Sequence, residues 1–473
     1  MQQIDKIYID GEFATPHGEE MFDLFNPATE QVIGRVRLAD EDDANRAVAA
    51  ARRAFASFSR TSKSERLDLL QSMIRALEAR EDDLYEAIVD EYGSPVSRAR
   101  LMAKYAPVAI GEAAKVLRQY DFTQRINASE LVMQPVGVAG IITPWNANAL
   151  FICNKFATAL AAGCTAVIKP SEMSAIQTQI VTEALHEAGL PAGVLNIVTG
   201  RGEVVGATIS AHPDIAKISF TGSTAVGKTI WRAGADTLKR ITLELGGKSP
   251  FIVLDDANFA EAVPFALQAG FVNNGQACGA GTRILVPQSR VKEFEALIGT
   301  AAGNIRSGDP RDPATVIGPL VSEKQWNRVQ RYIRVGIDEG ARLLTGGEGR
   351  PDGHQSGWFV RPTVFTDVRN DMTIAREEIF GPVLSIITYR DLEEAIAIAN
   401  DTTYGLQAYV VSADPARARE VAARIDAGRV LINGLAQDLA VPFGGFKQSG
   451  IGRELGTLGI EAYLEPKGVM TAV

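Results

Sequence analysis

From Val136 onward the chain alternates short apolar runs with helical ones. This rhythm constrains the fold more than any other feature of its 473 residues. Val136 to Thr143 reads as a strand, Asn154 to Ala162 as a helix and Thr165 to Lys169 as a strand. A helix over 174–188, a strand from Val194 to Val198, a helix over 203–211 and a strand from Ala216 to Phe220 follow. Strands without polar alternation, separated by helices, are those of a parallel sheet covered on both faces. A second run of the same kind begins near Gly246-Gly247 and takes in Pro250 to Leu254, Arg283 to Val286, Val383 to Tyr389 and Val430 to Asn433. The expectation is an α/β protein of two doubly wound units with a site in the crevice between them.

The remaining segments are read from local signals. Met1 to Phe13 forms a hairpin turning at Asp10-Gly11. Residues 40–120 are helical in pattern, with Asp40 and Ser64 as caps. Residues 121–135 are polar and extended up to Pro135, and 345–358 form a Gly-rich surface loop. The net charge of −9, without a basic run, leaves no footprint for nucleic acid or an anionic membrane. No apolar stretch approaches the ~20 residues of a membrane span, and no basic segment leads into an apolar one, so a cytoplasmic protein is expected. Three cysteines without a Cys-x-x-Cys pair, and four scattered histidines, predict neither a disulfide framework nor a metal site.

Several motifs carry chemistry, each beside a plainer reading. Gly222-Ser-Thr-Ala-Val-Gly227-Lys228-Thr229 fits a P-loop after a strand, and Asp255-Asp256 resembles its magnesium-holding partner, so an NTPase is one reading. The other is a glycine turn opening a helix onto some different phosphate. Gly200-x-Gly202-x-x-x-Gly206 is a loose dinucleotide fingerprint, and Gly450-x-Gly452 reads as a turn. Cys278, in Gly275-Gln-Ala-Cys278-Gly279, sits in a loop too polar and glycine-rich for core packing and offers an accessible thiol. Cys153 and Cys164 lie among apolar residues and read as packing. Glu244 ends an apolar strand before Gly246-Gly247; it is either a solvent-facing residue or a buried base. Asn146 closes Thr143-Pro144-Trp145-Asn146, as a turn residue or as a donor to an oxyanion.

Together these segments resemble the aldehyde dehydrogenase superfamily. The resemblance rests on eight collinear motifs over essentially the whole chain. They are Pro144-Trp145-Asn146, Lys169-Pro170-Ser171-Glu172, Phe220-Thr221-Gly222-Ser223, Leu243-Glu244-Leu245-Gly246-Gly247-Lys248, Gly275-Gln276-x-Cys278, Glu378-Ile-Phe380-Gly381-Pro382, Pro442-Phe443-Gly444-Gly445 and Ser449-Gly450-x-Gly452-Arg453-Glu454. It implies a Rossmann-like cofactor domain over 1–116 and 136–246, a catalytic α/β domain over 247–448, and a small β oligomerisation flap from 117–135 and 449–473. Such chains are homodimers or homotetramers.

The resemblance further implies NAD-dependent oxidation of an aldehyde to the acid through a cysteine hemithioacetal and a thioester. Cys278 would be the nucleophile, Asn146 an oxyanion donor and Glu244 the base that activates water. Trp145, Lys169, Glu172, Gly222, Ser223, Glu378 and Phe380 would bind NAD, and Lys155 with Glu454 would relay protons. A carboxylate at Glu172 would accept hydrogen bonds from the ribose hydroxyls and repel a 2′-phosphate, favouring NAD over NADP. Small residues at Ala147, Ala277 and Gly279 suggest a roomy pocket for an uncharged, bulky apolar or aromatic aldehyde.

Overall fold

The computed structural model describes residues 1–471 and contains two large sheets. The first has eight strands in the order Gly450–Ile451, Arg240–Glu244, Ile215–Thr221, Val138–Ile142, Thr165–Lys169, Leu195–Ile197, Ile7–Ile9 and Glu12–Ala14. Its five central strands are parallel. The chain builds outward from Val138–Ile142 through Thr165–Lys169 to Leu195–Ile197, then returns to lay Ile215–Thr221 on the other side. The strand order therefore reverses between Val138–Ile142 and Ile215–Thr221, where such sheets open a ligand crevice at their carboxyl ends. Helices cover both faces, and each face has its own apolar core.

The second sheet has seven strands in the order Arg342–Thr345, Thr363–Thr366, Val383–Tyr389, Arg283–Pro287, Pro250–Val253, Gln407–Val411 and Arg429–Ile432, all parallel except the first. It too is packed on both faces. A separate antiparallel sheet joins Thr123–Ile126, Ser129–Pro135 and Leu464–Val469. The N-terminal hairpin turns at Asp10-Gly11 as expected, with φ values of 57° and 86°.

Local chemistry explains where expectation and structure part. Asp40 caps the helix Glu41–Phe58 in a capping box with Asp43. The next helix, Lys63–Glu78, is capped by Ser62 rather than Ser64: the Glu65 N–H donates to Ser62 Oγ at 3.2 Å and the Ser62 N–H to Glu65 Oε2 at 2.7 Å. The helix expected from Asn154 begins at Asn148, because the Asn148 amide reaches Thr178 Oγ1 at 2.9 Å and no longer competes for the backbone. Gly450–Ile451, expected as a turn, is an edge strand paired with Leu243 and Glu244.

The cap assignment is directly testable. Ser62→Ala should lower the thermal midpoint by the equivalent of roughly 1 kcal/mol, the usual cost of an N-cap. Ser64→Ala should leave it unchanged; parallel thermal scans decide between them, and the reverse ranking would refute the capping box.

Candidate active site

Cys278 is presented by a loop with unusual backbone. The helix Phe259–Phe271 ends in Val272–Gly275, where Asn273, Asn274 and Gly275 take φ of 56°, 58° and 73°. Asn tolerates this left-handed region better than most residues. Gly275 has no substitute there, since a Cβ would lie 2.2 Å from the Gly381 carbonyl carbon. Side chains lock the turn. Asn274 Nδ2 donates to Gly93 O (3.2 Å) and Pro319 O (3.1 Å), while its Oδ1 accepts from Gly318 N–H (2.8 Å). Gln276 Nε2 donates to the Tyr92 hydroxyl (3.1 Å), which donates to Asn273 O (2.9 Å). The half-buried Cys278 thiol is pushed up to about 12 by burial, then by the charges of Glu378 and Glu244. It is a thiol that needs a proton acceptor before it can attack.

The other predicted catalytic groups converge here. Asn146, at the carboxyl end of Val138–Ile142, donates its amide to Gln276 O at 3.0 Å and accepts from Asn273 Nδ2 on its own carbonyl at 2.9 Å. Glu244 is 2 % exposed, and neither carboxylate oxygen has a hydrogen-bond partner. Burial, then the charge of Glu454, holds its pKa well above the usual carboxylate range against the opposing pull of Lys155, Arg453 and Arg429. The following glycines allow the close approach: a Cβ on Gly247 would sit 2.4 Å from Cys278 O, and one on Gly246 2.7 Å from Glu378 Oε2. Gly247 N–H donates to Glu378 Oε1 at 3.0 Å. Phe380 meets Trp145 edge to face at 5.5 Å.

The crevice at the strand reversal fits a dinucleotide. Thr143 and Thr221, at the carboxyl ends of the two strands that flank it, bury hydroxyls that have no partner. Gly222-Ser223 follow, and Ser223 caps the helix Thr224–Gly234, whose N-terminus favours an anion. Lys169 is buried, its ammonium donating to Pro170 O at 2.8 Å and Glu172 Oε2 at 3.2 Å. Glu172 also lies 3.7 Å from Arg201. Ser171, not Glu172, caps the turn that follows.

The NTPase reading fails on placement. Lys228 is exposed and donates to Gln448 Oε1 at 2.8 Å. Asp255 and Asp256 follow a strand of the other sheet and pair with Arg417 at 2.7 and 3.4 Å. Lys155 and Glu454, 299 residues apart, are in direct contact inside the protein, and Lys155 Nζ also donates to Ser219 Oγ at 3.1 Å. Among the described residues no group of three or more His, Cys, Asp or Glu is gathered for a metal. The sequence reading missed the bracing by Tyr92, Asn273 and Gln276. It also missed two buried lysines, Lys217 and Lys248, whose signal was a charge within or beside an apolar strand.

The sequence model of the aldehyde dehydrogenase family matches residues 13–469. The chain belongs to this family. It is 47% identical over 473 residues, 99% of each chain, to 3-succinoylsemialdehyde-pyridine dehydrogenase of Pseudomonas sp. A cysteine-to-alanine mutant of aldehyde dehydrogenase C from Pseudomonas syringae, complexed with NAD+ and octanal, superposes with a TM-score of 0.97 at 46% identity, covering 98% of this chain and 96% of that one. The NAD+ complex of a Mycobacterium tuberculosis aldehyde dehydrogenase gives 0.96 at 41% identity, covering 100% and 99%. The protein is an aldehyde dehydrogenase with the fold of that family.

In this dehydrogenase the loop backbone fixes where the Cys278 thiol lies. Gly275→Ala should abolish NADH formation from aldehydes, because both its φ and the Gly381 contact forbid a Cβ. Lys228→Ala should leave activity unchanged, as befits an exposed site away from the chemistry. Loss of activity in the Lys228 variant, or its retention in the Gly275 variant, would contradict this placement.

Proposed function

We propose that Cys278 gives up its thiol proton to water in the site and attacks the aldehyde carbon as the thiolate, and that the thioester formed after oxidation is hydrolysed by water activated at Glu244. The observation that carries this reading is the convergence of three groups: the Cys278 thiol, the Asn146 amide braced on the same loop, and a buried carboxylate without partners. Covalent catalysis divides one difficult oxidation into two easier steps. The oxyanion produced by attack falls to the Asn146 amide and the Cys278 backbone N–H. Bound NAD supplies the hydride acceptor. In the second step Glu244 takes a proton from water, the new C–O bond forms, and the C–S bond breaks to release Cys278. The Pseudomonas syringae relative seen with NAD+ and octanal carries a cysteine-to-alanine change, consistent with a cysteine that would otherwise consume the aldehyde.

The cofactor would lie along the strand-reversal crevice, with Trp145, Gly222 and Ser223 near the pyrophosphate end and Glu378 with Phe380 at the nicotinamide riboside. Lys169 and Glu172 would meet the adenosine ribose. Glu172 favours NAD, but Lys169 and Arg201 beside it moderate the repulsion of a 2′-phosphate and permit weak NADP use. The substrate is an uncharged, bulky apolar or aromatic aldehyde. The small residues Ala147, Ala277 and Gly279 support this, as do a relative crystallised with octanal and one named for 3-succinoylsemialdehyde-pyridine. Residues 1–116 and 136–246 would form the cofactor domain, 247–448 the catalytic domain, and 117–135 with 449–473 the oligomerising segments of a cytoplasmic homodimer or homotetramer. No helix among the described residues is long and apolar enough to cross a membrane.

Cys278→Ala should abolish turnover. Glu244→Gln should lower the steady-state rate by about 10²–10⁴-fold, the size of a general-base effect, while leaving a stoichiometric NADH burst. In the wild type the deacylation rate should climb with pH. The raised pKa of Glu244 keeps it protonated above the ordinary carboxylate range, and only its ionised form accepts a proton. Full steady-state activity of Glu244→Gln, or a deacylation rate that falls as pH rises through neutrality, would refute the assignment.

A further inference from the structure

The strand Gln407–Val411 lies inside the second sheet, between Pro250–Val253 and Arg429–Ile432, where both faces are packed and apolar residues are expected. Gln407 and Tyr409 break that pattern. Two residues apart, they share one face of the strand, and both are buried. The Tyr409 ring stacks on Phe251 at 5.6 Å and packs over Gly281, where a Cβ would lie 3.1 Å from the ring. A buried amide and a buried phenol are costly unless each finds a partner. Both find the same one. The Tyr409 hydroxyl donates to Gly279 O at 2.9 Å, and Gln407 Nε2 donates to that oxygen at 3.3 Å and also to the Tyr409 hydroxyl.

Gly279 follows Cys278, and its carbonyl begins a chain of two peptide units. Gly279 C=O and Ala280 N–H belong to one trans peptide, so they point in opposite directions. With the oxygen held by the strand, the Ala280 N–H is turned back into the loop, where it donates to Ala277 O at 3.2 Å. Ala277 C=O and Cys278 N–H belong to a second such unit and are opposed in the same way. Fixing the Ala277 oxygen therefore fixes the Cys278 N–H, which makes no backbone hydrogen bond among the described residues. A Cβ on Gly279 would stand 3.1 Å from Gln407 Nε2, so the glycine is what lets the amide come this close.

Resting on the proposed attack by Cys278, we propose that Tyr409, assisted by Gln407, is the positioning residue of the oxyanion donor. Its hydroxyl acts through the Gly279 and Ala277 carbonyls to aim the Cys278 N–H at the oxygen that gains charge as the sulfur–carbon bond forms. The effect is electronic as well as geometric. A donor on a carbonyl polarises the peptide behind it and makes the N–H at its far end a better donor, so a chain of such bonds strengthens its last link. The donor is in place before the aldehyde arrives, and no reorganisation is needed at the moment of attack. Asn146 reaches the same loop by a separate route, through Gln276 O and Asn273, so the two donors are set independently. The Tyr409 proton is engaged on Gly279 O, and its part is to position, not to exchange protons.

The test separates an aimed donor from a loop held in place. Tyr409→Phe keeps the ring on Phe251 and deletes the hydroxyl, and Gln407→Leu removes the second donor at similar volume. Each variant, and the two combined, is assayed for first-turnover NADH formation with NAD and octanal, for alkylation of Cys278 by iodoacetamide, and for thermal midpoint. Attack on an aldehyde generates an oxyanion, whereas alkylation displaces iodide and generates none. The double variant should lose at least about tenfold in first-turnover rate, and at most the roughly 10²–10³-fold of a deleted oxyanion donor, while Cys278 is alkylated at the wild-type rate. Tyr409→Phe alone, the gentler change, should fall in the same direction by a smaller factor. Wild-type first-turnover rates in all three variants would overturn the proposal. So would alkylation that slows in proportion to NADH formation, the mark of a loop that has come loose. Cys278→Ala keeps the two readings apart: if it still turns over, the attack by Cys278 fails first; if it is inactive and the Tyr409 and Gln407 variants react normally, only the positioning role fails.

Discussion

The site depends on one close packing contact, the passage of residues 245–249 across the Cys278 loop. Glu244 ends a strand of the first sheet and Pro250 begins a strand of the second, so this short crossing joins the two halves of the molecule. Gly247 lies against the Cys278 carbonyl and donates its N–H to Glu378, while Gly246 leaves room for that carboxylate. A side chain at either position would push Cys278, Glu244 and Glu378 apart. Because protein interiors are close-packed, that displacement has nowhere to be absorbed.

The same region concentrates buried charge that does nothing for stability. An ionised group taken out of water costs several kcal/mol unless it is well paired. Glu244 has no partner for either oxygen, and Lys248 has none for its ammonium. Both respond by shifting toward neutrality: Glu244 upward, Lys248 down to about 7. Structural ion pairs elsewhere, such as Arg334 with Glu348, lie at the surface and show no such conflict. Groups left unsatisfied in a well-packed interior mark where stability has yielded to chemistry.

Much of this was legible in the sequence, for physical reasons that differ by feature. Strands such as Thr165–Lys169 and Val383–Tyr389 were read to the residue because each is a largely apolar run bounded by turn residues, Gly163 and Pro170 around the first and Gly381-Pro382 before the second. Cys278, Glu244 and Asn146 stood out because each breaks its local pattern: a thiol in a polar loop, a carboxylate in an apolar strand, an amide at a strand end. What escaped depends on long-range contact. The Asn148 amide donates across to Thr178 Oγ1 and Ser174 O at the start of its helix, and Gly450 forms a strand where Leu243 and Glu244 lie beside it. Tyr92 and Gln276 meet across 184 positions of sequence, which no local pattern announces.

On the proposed mechanism the substrate carbon is carried on Cys278 as a thioester until Glu244 activates the water that releases it. The most direct measurement is intact-protein and peptide mass spectrometry of the Glu244→Gln enzyme, quenched in acid after one turnover with NAD and octanal. An added octanoyl mass is expected, confined to the peptide that holds Cys278, at near-stoichiometric occupancy and matching the NADH formed. NADH formed in stoichiometric amount with no acyl mass on that peptide, or with the mass on another residue, would contradict it.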